Sequence, residues 1–200
     1  QEPLDPVRYL TNHSTGKMGY AVARAAAMRG ADVTLIHGPT ALPPVKFTED
    51  VPITTAQDMY EAVTSRFADM DILVMAAAVA DYRPATVADD KIKKKDGDLS
   101  IPVERTADIL GTIGPRKTKQ FLCGFSMETR DMVENSAAKL KKKNLDMVVA
   151  NNLKVSGAGF GVDTNVVTFI TPDGTRELPL MSKADVADAI LDEILKRRGH

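Results

Sequence analysis

The amino-acid sequence predicts an α/β protein with a mostly parallel central sheet, helices on both faces and a carboxyl-terminal antiparallel hairpin. Two observations predict this fold class. Short apolar segments alternate with helical patterns along most of the chain, which is typical of parallel strands joined by helices. The alternation stops at residues 166–180 (VVTFITPDGTRELPL), where a Pro-Asp-Gly turn joins two strands. With 200 residues, 44% of them hydrophobic, the chain can bury a core, and we expect one domain spanning residues 1–200.

The predicted elements follow one another in a regular order. In the first half they are strand 7–10, helix 16–29, strand 32–38, a short strand near 51–54, a helix from 55 to about 67 and strand 71–78. In the second half they are a helix from about 107, strand 121–127, helix 132–143, strand 146–152, the hairpin and a last helix. Gly30 closes the first helix, and Thr55 with Asp58 forms a capping box for the second. The strand at 71–78 (DILVMAAA) is the most apolar, so it is expected near the centre of the sheet.

The charge and the cysteine content limit the possible functions. Lys and Arg number 26 against 27 Asp and Glu, so no overall field attracts the protein to nucleic acid or to a membrane surface. No apolar run approaches the roughly 18–20 residues that span a bilayer. The single cysteine, Cys123, excludes an internal disulfide and a multi-cysteine zinc site, and a reducing cytoplasm is the expected compartment. Because the chain does not begin with Met, we expect it to be part of a longer protein.

The turn between the first predicted strand and helix, TNHSTGKMG (residues 11–19), has features of a phosphate-binding site. Gly16 and Gly19 stand where the last two glycines of a G-x-G-x-x-G motif would stand, and Ser14 replaces the first. Backbone N–H groups and the positive end of the helix can hold phosphate oxygens there. The alternative is a tight turn in which glycine serves only close packing.

Two common nucleotide motifs do not fit this turn. A P-loop requires Ser or Thr after its Lys, whereas Met18 follows Lys17. A nicotinamide dinucleotide site expects an acidic residue at the end of the second strand, whereas residues 37–39 are His-Gly-Pro. A nucleotide other than NAD therefore fits better.

A second candidate region, residues 76–95 (AAAVADYRPATVADDKIKKK), combines small residues with a basic loop. Small residues at the carboxyl end of a strand let a ligand approach the backbone, at the edge where open α/β sheets bind ligands. Asp81 lies just beyond them. The loop then carries Lys91, Lys93, Lys94 and Lys95. Such a loop can close over a polyphosphate, or it can be an ordinary solvated surface.

A further basic pair, Lys139 and Lys143, lies on one face of a predicted helix end. These lysines suit either a ligand or the helix dipole alone. No pair of the three histidines has metal-ligand spacing, which argues against a zinc site.

These motifs together resemble one enzyme family. The segments PVRYLTNHSTGKMG, AAAVADYRPATVADDKIKKK, ADIL, GFSMET and KKKNLDMVVANN, in this order, resemble the phosphopantothenate-cysteine ligases, the CTP-dependent bacterial enzymes of coenzyme A synthesis. The resemblance covers residues 3 to about 195. It implies a Rossmann-like sheet and a homodimer formed through the long hairpin. It also implies fusion to an amino-terminal, flavin-dependent phosphopantothenoylcysteine decarboxylase domain.

The resemblance implies a reaction in two steps. A cytidylyl group passes from CTP to the carboxylate of 4'-phosphopantothenate, with release of pyrophosphate. L-cysteine then displaces CMP and gives 4'-phosphopantothenoylcysteine. Both steps bring anions together, so Mg²⁺ and lysines are needed to screen the charge, and the second step needs donors for an oxyanion.

The resemblance also assigns roles to residues. Asn12 is matched to conversion of the acyl-cytidylate, Lys91 to the activation step and Arg8 to the overall reaction. Backbone donors at Ala77 and Ala78 are expected to hold the pantothenoyl arm. The expected nucleotide site contains the turn residues Ser14, Gly16 and Gly19 together with Met75, Ala76, Ala77, Asp81, Lys91, Ala107, Asp108, Ile109, Leu110, Phe125, Lys139 and Lys143. Asp108 is also the candidate Mg²⁺ contact.

Two other classes of function remain open from the residues alone. A nicotinamide- or flavin-dependent oxidoreductase would use the same first turn. A nucleic-acid-binding module would use the lysine clusters, but with aromatic residues at 5% of the chain it has little with which to stack bases.

Overall fold

The computed structural model describes residues 1–94, 96–128, 131–152 and 159–199, so Lys95 of the basic loop lies outside the described residues. In chain order, the elements are β1 (Glu2–Pro3), β2 (Tyr9–Leu10), α1 (Lys17–Met28), β3 (Val33–His37), β4 (Thr48–Pro52), α2 (Ala56–Arg66), β5 (Ile72–Met75), β6 (Tyr82–Pro84), β7 (Val103–Arg105), α3 (Ile109–Ile113), β8 (Phe121–Glu128), α4 (Met132–Lys142), β9 (Met147–Asn152), β10 (Thr164–Asn165), β11 (Val167–Thr171), β12 (Gly174–Glu177), β13 (Met181–Ser182) and α5 (Lys183–Arg198). Short 3-10 helices, Phe67–Asp69 and Gly114–Arg116, follow α2 and α3.

The main sheet has five strands in the order β12-β11-β9-β8-β5. β5, β8 and β9 are parallel, whereas β11 and β12 run antiparallel. A second parallel pair, β3 with β4, stands apart from this sheet in the hydrogen-bonding pattern. The predicted hairpin is confirmed, with Thr171 opposite Gly174 across the Pro-Asp-Gly turn. The described strands thus form a mostly parallel sheet with an antiparallel end.

Two apolar cores lie on opposite faces of the main sheet, because successive strand residues point to opposite sides. Cys123 and Val149 belong to the core that α1 and α5 cover. Leu122 and Val148 belong to the core that α2 and α3 cover. All four residues are fully buried. The prediction of helices on both faces is therefore confirmed, and none of the described helices combines the length and apolarity needed to cross a bilayer.

Local sequence explains where several helices begin and end. The Thr55 hydroxyl accepts the Asp58 N–H at 3.1 Å, and the Asp58 carboxylate accepts the Thr55 N–H at 2.9 Å, which confirms the capping box of α2. Gly30 follows α1 with a φ of 83°, in the left-handed region that favours glycine. The Ser182 hydroxyl accepts the Asp185 N–H at the start of α5.

Two predictions about the sheet are wrong. Residues 7–10 do not begin the main sheet, since Tyr9–Leu10 pairs antiparallel with Glu2–Pro3. The cause is Asp5, whose carboxylate accepts the N–H groups of Val7 and Arg8 and turns the chain back on itself. The apolar strand β5 consequently lies at the edge of the main sheet rather than near its centre.

The antiparallel pair of β6 and β7 was not anticipated either. Their sequences, Tyr-Arg-Pro and Val-Glu-Arg, are short and polar, and they contain no alternation of apolar residues that would predict strands.

We predict that Gly114→Ala destabilises the fold strongly. A Cβ at this position would lie 2.0 Å from the backbone oxygen of Lys143. Moving backbone atoms to relieve this clash costs more energy than moving the end of a side chain. The free energy of unfolding should fall by about 3 kcal/mol, the upper end of the usual cost of overpacking. Urea denaturation measures this change. Gly38→Ala is the control, because a Cβ there meets no atom within 4 Å; equal losses in both variants would contradict the prediction.

Candidate functional site

A cavity of about 1060 Å³ opens between β3 and β5. At the carboxyl ends of these strands it is lined by predicted site residues from two segments, the turn before α1 and the chain at the end of β5. These residues are Asn12, Ser14, Gly16, Gly19, Met75, Ala76, Ala77 and Ala78. The structure thus brings the predicted phosphate-binding turn and the expected substrate-binding alanines to one cavity.

The amino end of α1 has no side-chain cap. Gly16 occupies the N-cap position with a φ of 78°, a left-handed conformation that glycine adopts without strain. A Cβ on Gly19 would lie 3.8 Å from the Ala76 Cβ, so the first turn of α1 packs closely against the end of β5. Uncapped backbone N–H groups and the positive helix end suit an anion.

Asn12 links this turn to the chain that follows β5. Its Nδ2 atom donates to the Ala78 oxygen at 2.9 Å and lies 3.4 Å from the Val79 oxygen. The first contact is a normal hydrogen bond, whereas the second is long. One N–H group of the amide is therefore fixed on Ala78, and the other makes at most the long contact with the Val79 oxygen.

A second group of predicted residues meets around Asp108, the N-cap of α3. The Asp108 Oδ1 atom accepts the Gly111 N–H at 2.9 Å and the Lys143 ammonium at 2.8 Å. The Lys139 ammonium donates to the Phe125 oxygen at 3.0 Å. Lys139 lies in α4 and contacts β8. Lys143 directly follows α4 and contacts the start of α3.

Electrostatics keeps Asp108 ionised. Burial raises its pKa, but the Lys143 ammonium and the Gly111 N–H lower it by more, so the pKa lies below the ordinary value for aspartate. Both hydrogen bonds go to Oδ1. The Oδ2 atom of this carboxylate is therefore the oxygen that can receive a further partner.

Thr106 connects the two groups of residues. Its N–H donates to the Asp81 oxygen at 3.0 Å, and its hydroxyl donates to the Ala80 oxygen at 2.5 Å. Since Thr106 directly precedes Ala107 and Asp108, the chain after β5 runs beside the start of α3. Asp81 thus contributes its backbone to this link, while its side chain is exposed.

The hydrogen-bonded pairing of β5 with β8 completes the arrangement. Met75 lies opposite Gly124, so Phe125 follows at the same carboxyl edge of the sheet. Ile109 and Leu110 are buried in the core under α2, so only their backbone groups can contact a ligand. The predicted nucleotide residues other than Lys91 therefore lie in two groups, which Thr106 links through the backbone of Ala80 and Asp81.

Several predicted site residues do not line the cavity, namely Arg8, Asp81, Lys91, Ala107, Asp108, Ile109, Leu110, Phe125, Lys139 and Lys143. The Arg8 guanidinium donates to the Asp5 Oδ2 atom through Nε (3.0 Å) and Nη2 (2.5 Å), and Nη2 also donates to the Ile92 oxygen at 3.0 Å. The Ile92 N–H donates to the same Asp5 oxygen at 3.1 Å. The pair of Asp5 and Arg8 thus fixes the backbone next to Lys91, whose own side chain is exposed.

Sequence reasoning missed Asp5, which is only 3% exposed. The hydrogen bond with Arg8 is the largest influence on this carboxyl and holds its pKa well below the ordinary value, while burial opposes the shift. The available signal was the Asp-Pro-Val-Arg stretch, because Asp before Pro commonly begins a turn in which its side chain accepts backbone N–H groups.

A loop near the carboxyl terminus also contacts the turn, and the sequence did not predict it. The Thr15 hydroxyl donates to the Phe160 oxygen at 2.8 Å. The Lys17 ammonium donates to the Gly161 oxygen at 2.9 Å and to the Asp163 carboxylate at 2.7 Å. Lys17 therefore fastens this loop to the start of α1.

The remaining reactive side chains have structural roles. The His37 ring bonds the Gly38 oxygen and the Asp50 carboxylate. Cys123 is a free, fully buried thiol, and burial raises its pKa far above the ordinary value, so it does not form a thiolate nucleophile. Within the described part of the chain, no group of three His, Cys, Asp or Glu side chains is placed to hold a metal ion.

A family comparison decides the relationship of this chain. The model of the DNA/pantothenate metabolism flavoprotein C-terminal domain matches residues 1–197. The chain belongs to this family. As a member of the DNA/pantothenate metabolism flavoprotein C-terminal domain family, it carries the two groups of residues on a fold shared by its relatives.

Named relatives and solved structures agree with this assignment. The chain is 52% identical over 97% of its length to the coenzyme A biosynthesis bifunctional protein CoaBC of Bacillus subtilis and covers 48% of that protein. The crystal structure of the C-terminal domain of a CoaBC protein matches with a TM-score of 0.82 at 44% identity, covering 96% of this chain and 88% of that one. A mutant Cab2 in complex with phosphopantothenate-cysteine shares the fold, with a TM-score of 0.83 at 18% identity. That match covers 99% of this chain and 83% of the Cab2 chain. The chain spans about half the length of the CoaBC relative.

We predict that Asp5→Asn loosens the backbone beside Lys91. The variant loses the carboxylate that holds both Arg8 and the Ile92 N–H, so amide hydrogen exchange at Ile92 should become faster. Asp89→Asn is the matched control, because Asp89 is exposed in the same loop. Unchanged exchange at Ile92 would show that the pair does not hold this loop.

The same variant should change the acid dependence of stability. Because the Asp5 pKa is lowered from 3.8 in the folded protein, its contribution is present above that value and is lost as the pH falls towards the lower folded pKa. The difference in unfolding free energy between the parent and Asp5→Asn should therefore shrink in strong acid. Equal differences at neutral and strongly acidic pH, measured by denaturation, would contradict this role.

Proposed function

We propose that this domain is a phosphopantothenate-cysteine ligase. It joins 4'-phosphopantothenate and L-cysteine, using CTP through an acyl-cytidylate with release of pyrophosphate and CMP. The observation that carries the proposal is the Asn12–Ala78 hydrogen bond, which brings an amide donor and an uncapped helix end to one cavity. The CoaBC relatives, whose names assign them to coenzyme A biosynthesis, give the reaction its context.

The proposed nucleotide position follows from charge. The uncapped start of α1 offers N–H groups to phosphates, and the ammonium groups of Lys139 and Lys143 lie along the same carboxyl edge. The Phe125 ring is expected beside the base. A triphosphate brought to this edge would meet cations that reduce its repulsion with the substrate carboxylate.

The proposed acyl-transfer donor is Asn12. Its second Nδ2 N–H is not committed to a short hydrogen bond, and it lies beside the backbone of Ala77 and Ala78, where the pantothenoyl arm is expected. During attack by cysteine, the acyl oxygen gains negative charge. A fixed amide N–H stabilises that charge without having to reorganise.

Mg²⁺ is the proposed cofactor, and Asp108 fits as its protein contact. The carboxylate is ionised, and its Oδ2 atom is not used by the Gly111 and Lys143 hydrogen bonds. Asp108 would hold the ion through Oδ2, and one carboxylate fits because Mg²⁺ bound together with substrate phosphates needs few protein oxygens. When bound, such an ion supplies screening of the phosphate charge.

The proposal extends to the protein as a whole. We propose that residues 1–200 form one ligase domain, that it is fused to an amino-terminal flavin-dependent decarboxylase as the bifunctional relatives suggest, and that it acts in the cytoplasm. A homodimer through the hairpin is also proposed. Its strand β12 is exposed and lies at an edge of the main sheet, where its unpaired backbone can bind another strand.

The decisive assay is pyrophosphate release. We expect release that requires both CTP and 4'-phosphopantothenate but not cysteine, because activation precedes amide formation. Release with ATP as readily as with CTP would contradict the proposed nucleotide. Binding of NADPH or FMN in its place would favour an oxidoreductase, and a salt-dependent shift with RNA would favour a nucleic-acid-binding module.

We predict that Asn12→Asp leaves pyrophosphate release largely intact and slows amide formation roughly 100-fold, so that the acyl-cytidylate accumulates. The carboxylate offers no N–H to the acyl oxygen, and it places a negative charge beside the Ala78 oxygen. Rapid-quench analysis of the intermediate measures the effect. His13→Asn, at the exposed neighbouring position, is the control. Prompt conversion to product in Asn12→Asp would exclude the role.

We predict that Lys91→Gln fails earlier, with pyrophosphate release slowed roughly 100-fold. The exposed Lys91 side chain is free to approach the nucleotide when the loop moves, while the pair of Asp5 and Arg8 holds the backbone at Ile92. Lys93→Gln is the matched control, since Lys93 is an exposed cation of the same loop. If both variants formed the intermediate at the parent rate, the loop would be an ordinary solvated surface.

A further inference from the structure

Lys183, the first residue of α5, is a buried cation that the proposed reaction does not use. Only 6% of the residue is exposed. A cation is unfavourable here for two reasons, since burial removes its hydration and the amino end of a helix is itself positive. Burial lowers the pKa of the Lys183 ammonium, Lys17 adds to this shift and Asp163 opposes it. An ammonium in this position must therefore be stabilised by its contacts.

Backbone oxygens supply those contacts. The Lys183 Nζ atom donates to the oxygens of Gly159, Phe160 and Val162, at 2.9, 3.0 and 2.5 Å. An ammonium carries three N–H groups, so each of them has an acceptor. The three carbonyl groups surround one cation, as carbonyl oxygens surround K⁺ in selectivity filters. We call residues 159–163 the carbonyl loop.

Strand pairing brings the carbonyl loop to Lys183. β10 directly follows the loop and pairs antiparallel with β13, which directly precedes α5, so that Thr164 lies opposite Ser182. The Lys183 N–H donates to the Asp163 oxygen at 2.8 Å. The backbone of Lys183 therefore holds the end of the carbonyl loop, and its side chain holds the rest.

The carbonyl loop in turn holds the chain before α1. The Thr15 hydroxyl donates to the Phe160 oxygen at 2.8 Å, so this oxygen accepts from both Thr15 and Lys183. The Lys17 ammonium donates to the Asp163 carboxylate at 2.7 Å. Lys183 is thus connected to the start of α1 through the backbone of a single loop.

These contacts act on Gly16, because Thr15 and Lys17 are its two neighbours in the chain. Gly16 is the N-cap of α1, in a left-handed conformation and without a side-chain cap. The backbone at the N-cap sets the direction of the free N–H groups in the first helical turn. If the carbonyl loop lost its shape, Thr15 and Lys17 would lose their anchors, and these N–H groups would lose their fixed direction towards a phosphate.

We propose that Lys183 is a positioning residue for the proposed phosphate site. Its ammonium is a built-in cation that keeps the carbonyl loop in shape, and the loop keeps the turn around Gly16 ready for an anion. Lys183 itself contacts no ligand. The expected effect on CTP rests on the proposed function, whereas the expected effect on the turn does not.

The test removes the ammonium and supplies it again in free form. In Lys183→Ala, n-propylammonium can replace the lost atoms and donate to the three oxygens, whereas tetramethylammonium is charged but has no N–H group. Lys183→Met fills the space with a flexible apolar side chain that cannot donate. Lys196→Ala is the matched control, since Lys196 is an exposed lysine of the same helix. NMR measures the backbone amide shifts of residues 15–17 without substrates, and pyrophosphate release measures the KM for CTP.

We expect the amide signals of residues 15–17 to move in Lys183→Ala and Lys183→Met but not in Lys196→Ala. n-Propylammonium should return the signals of Lys183→Ala towards the parent positions, and tetramethylammonium should not. The KM for CTP should rise about tenfold in both Lys183 variants, with kcat changed less than about twofold, because phosphate binding weakens equally before and during the reaction.

Unchanged amide signals in Lys183→Met would overturn the proposal, and this variant decides the matter if Lys183→Ala does not fold. Equal rescue of a folded Lys183→Ala protein by both cations, or rescue by neither, would overturn it too. Moved signals that n-propylammonium restores, in a protein whose parent shows no CTP-dependent pyrophosphate release, would support the positioning role and refute the ligase function instead.

Discussion

The arrangement depends on one geometric constraint: parallel strands that are hydrogen-bonded neighbours end at the same edge of their sheet. β5 and β8 obey this constraint, and so the chain segments that leave them lie side by side. The Asn12 amide then needs only a single hydrogen bond to Ala78 to bring the turn before α1 to the same edge. Without the shared edge, the small residues after β5 would not lie on the same side of the sheet as Phe125, whose oxygen Lys139 contacts.

Ion pairs hold cations in position at this edge, and a ligand can still displace one partner of each pair. Lys143 is held by Asp108, and Lys17 is held by Asp163, so cations stay in position in the absence of an anion. Exposed pairs of this kind contribute little to stability, and a phosphate can therefore compete for one partner at small cost. By contrast, the buried Asp5 carboxylate is fixed by Arg8 and by backbone N–H groups, which suits a structural anchor for the neighbouring loop.

The two ends of the cavity differ in chemistry. At the carboxyl end, the lining carries an uncapped helix start and an amide donor, which suit a polar ligand. Further along β3 and β5, the lining is mainly aliphatic, with Val22, Ile194 and Val63 among its residues.

The sequence by itself determined the type and order of most elements, since apolar periodicity, the Thr55 capping box and Gly30 act through neighbouring residues. It also predicted a phosphate-binding turn, a substrate contact at the small residues after β5 and a ligand role for the lysines at 139 and 143, because these motifs are local. Only the tertiary structure decided what depends on distant partners. The Asp5 contact with Ile92, the edge position of β5 and the joining of Lys143 to Asp108 are contacts across many residues of chain, and no local pattern encodes them.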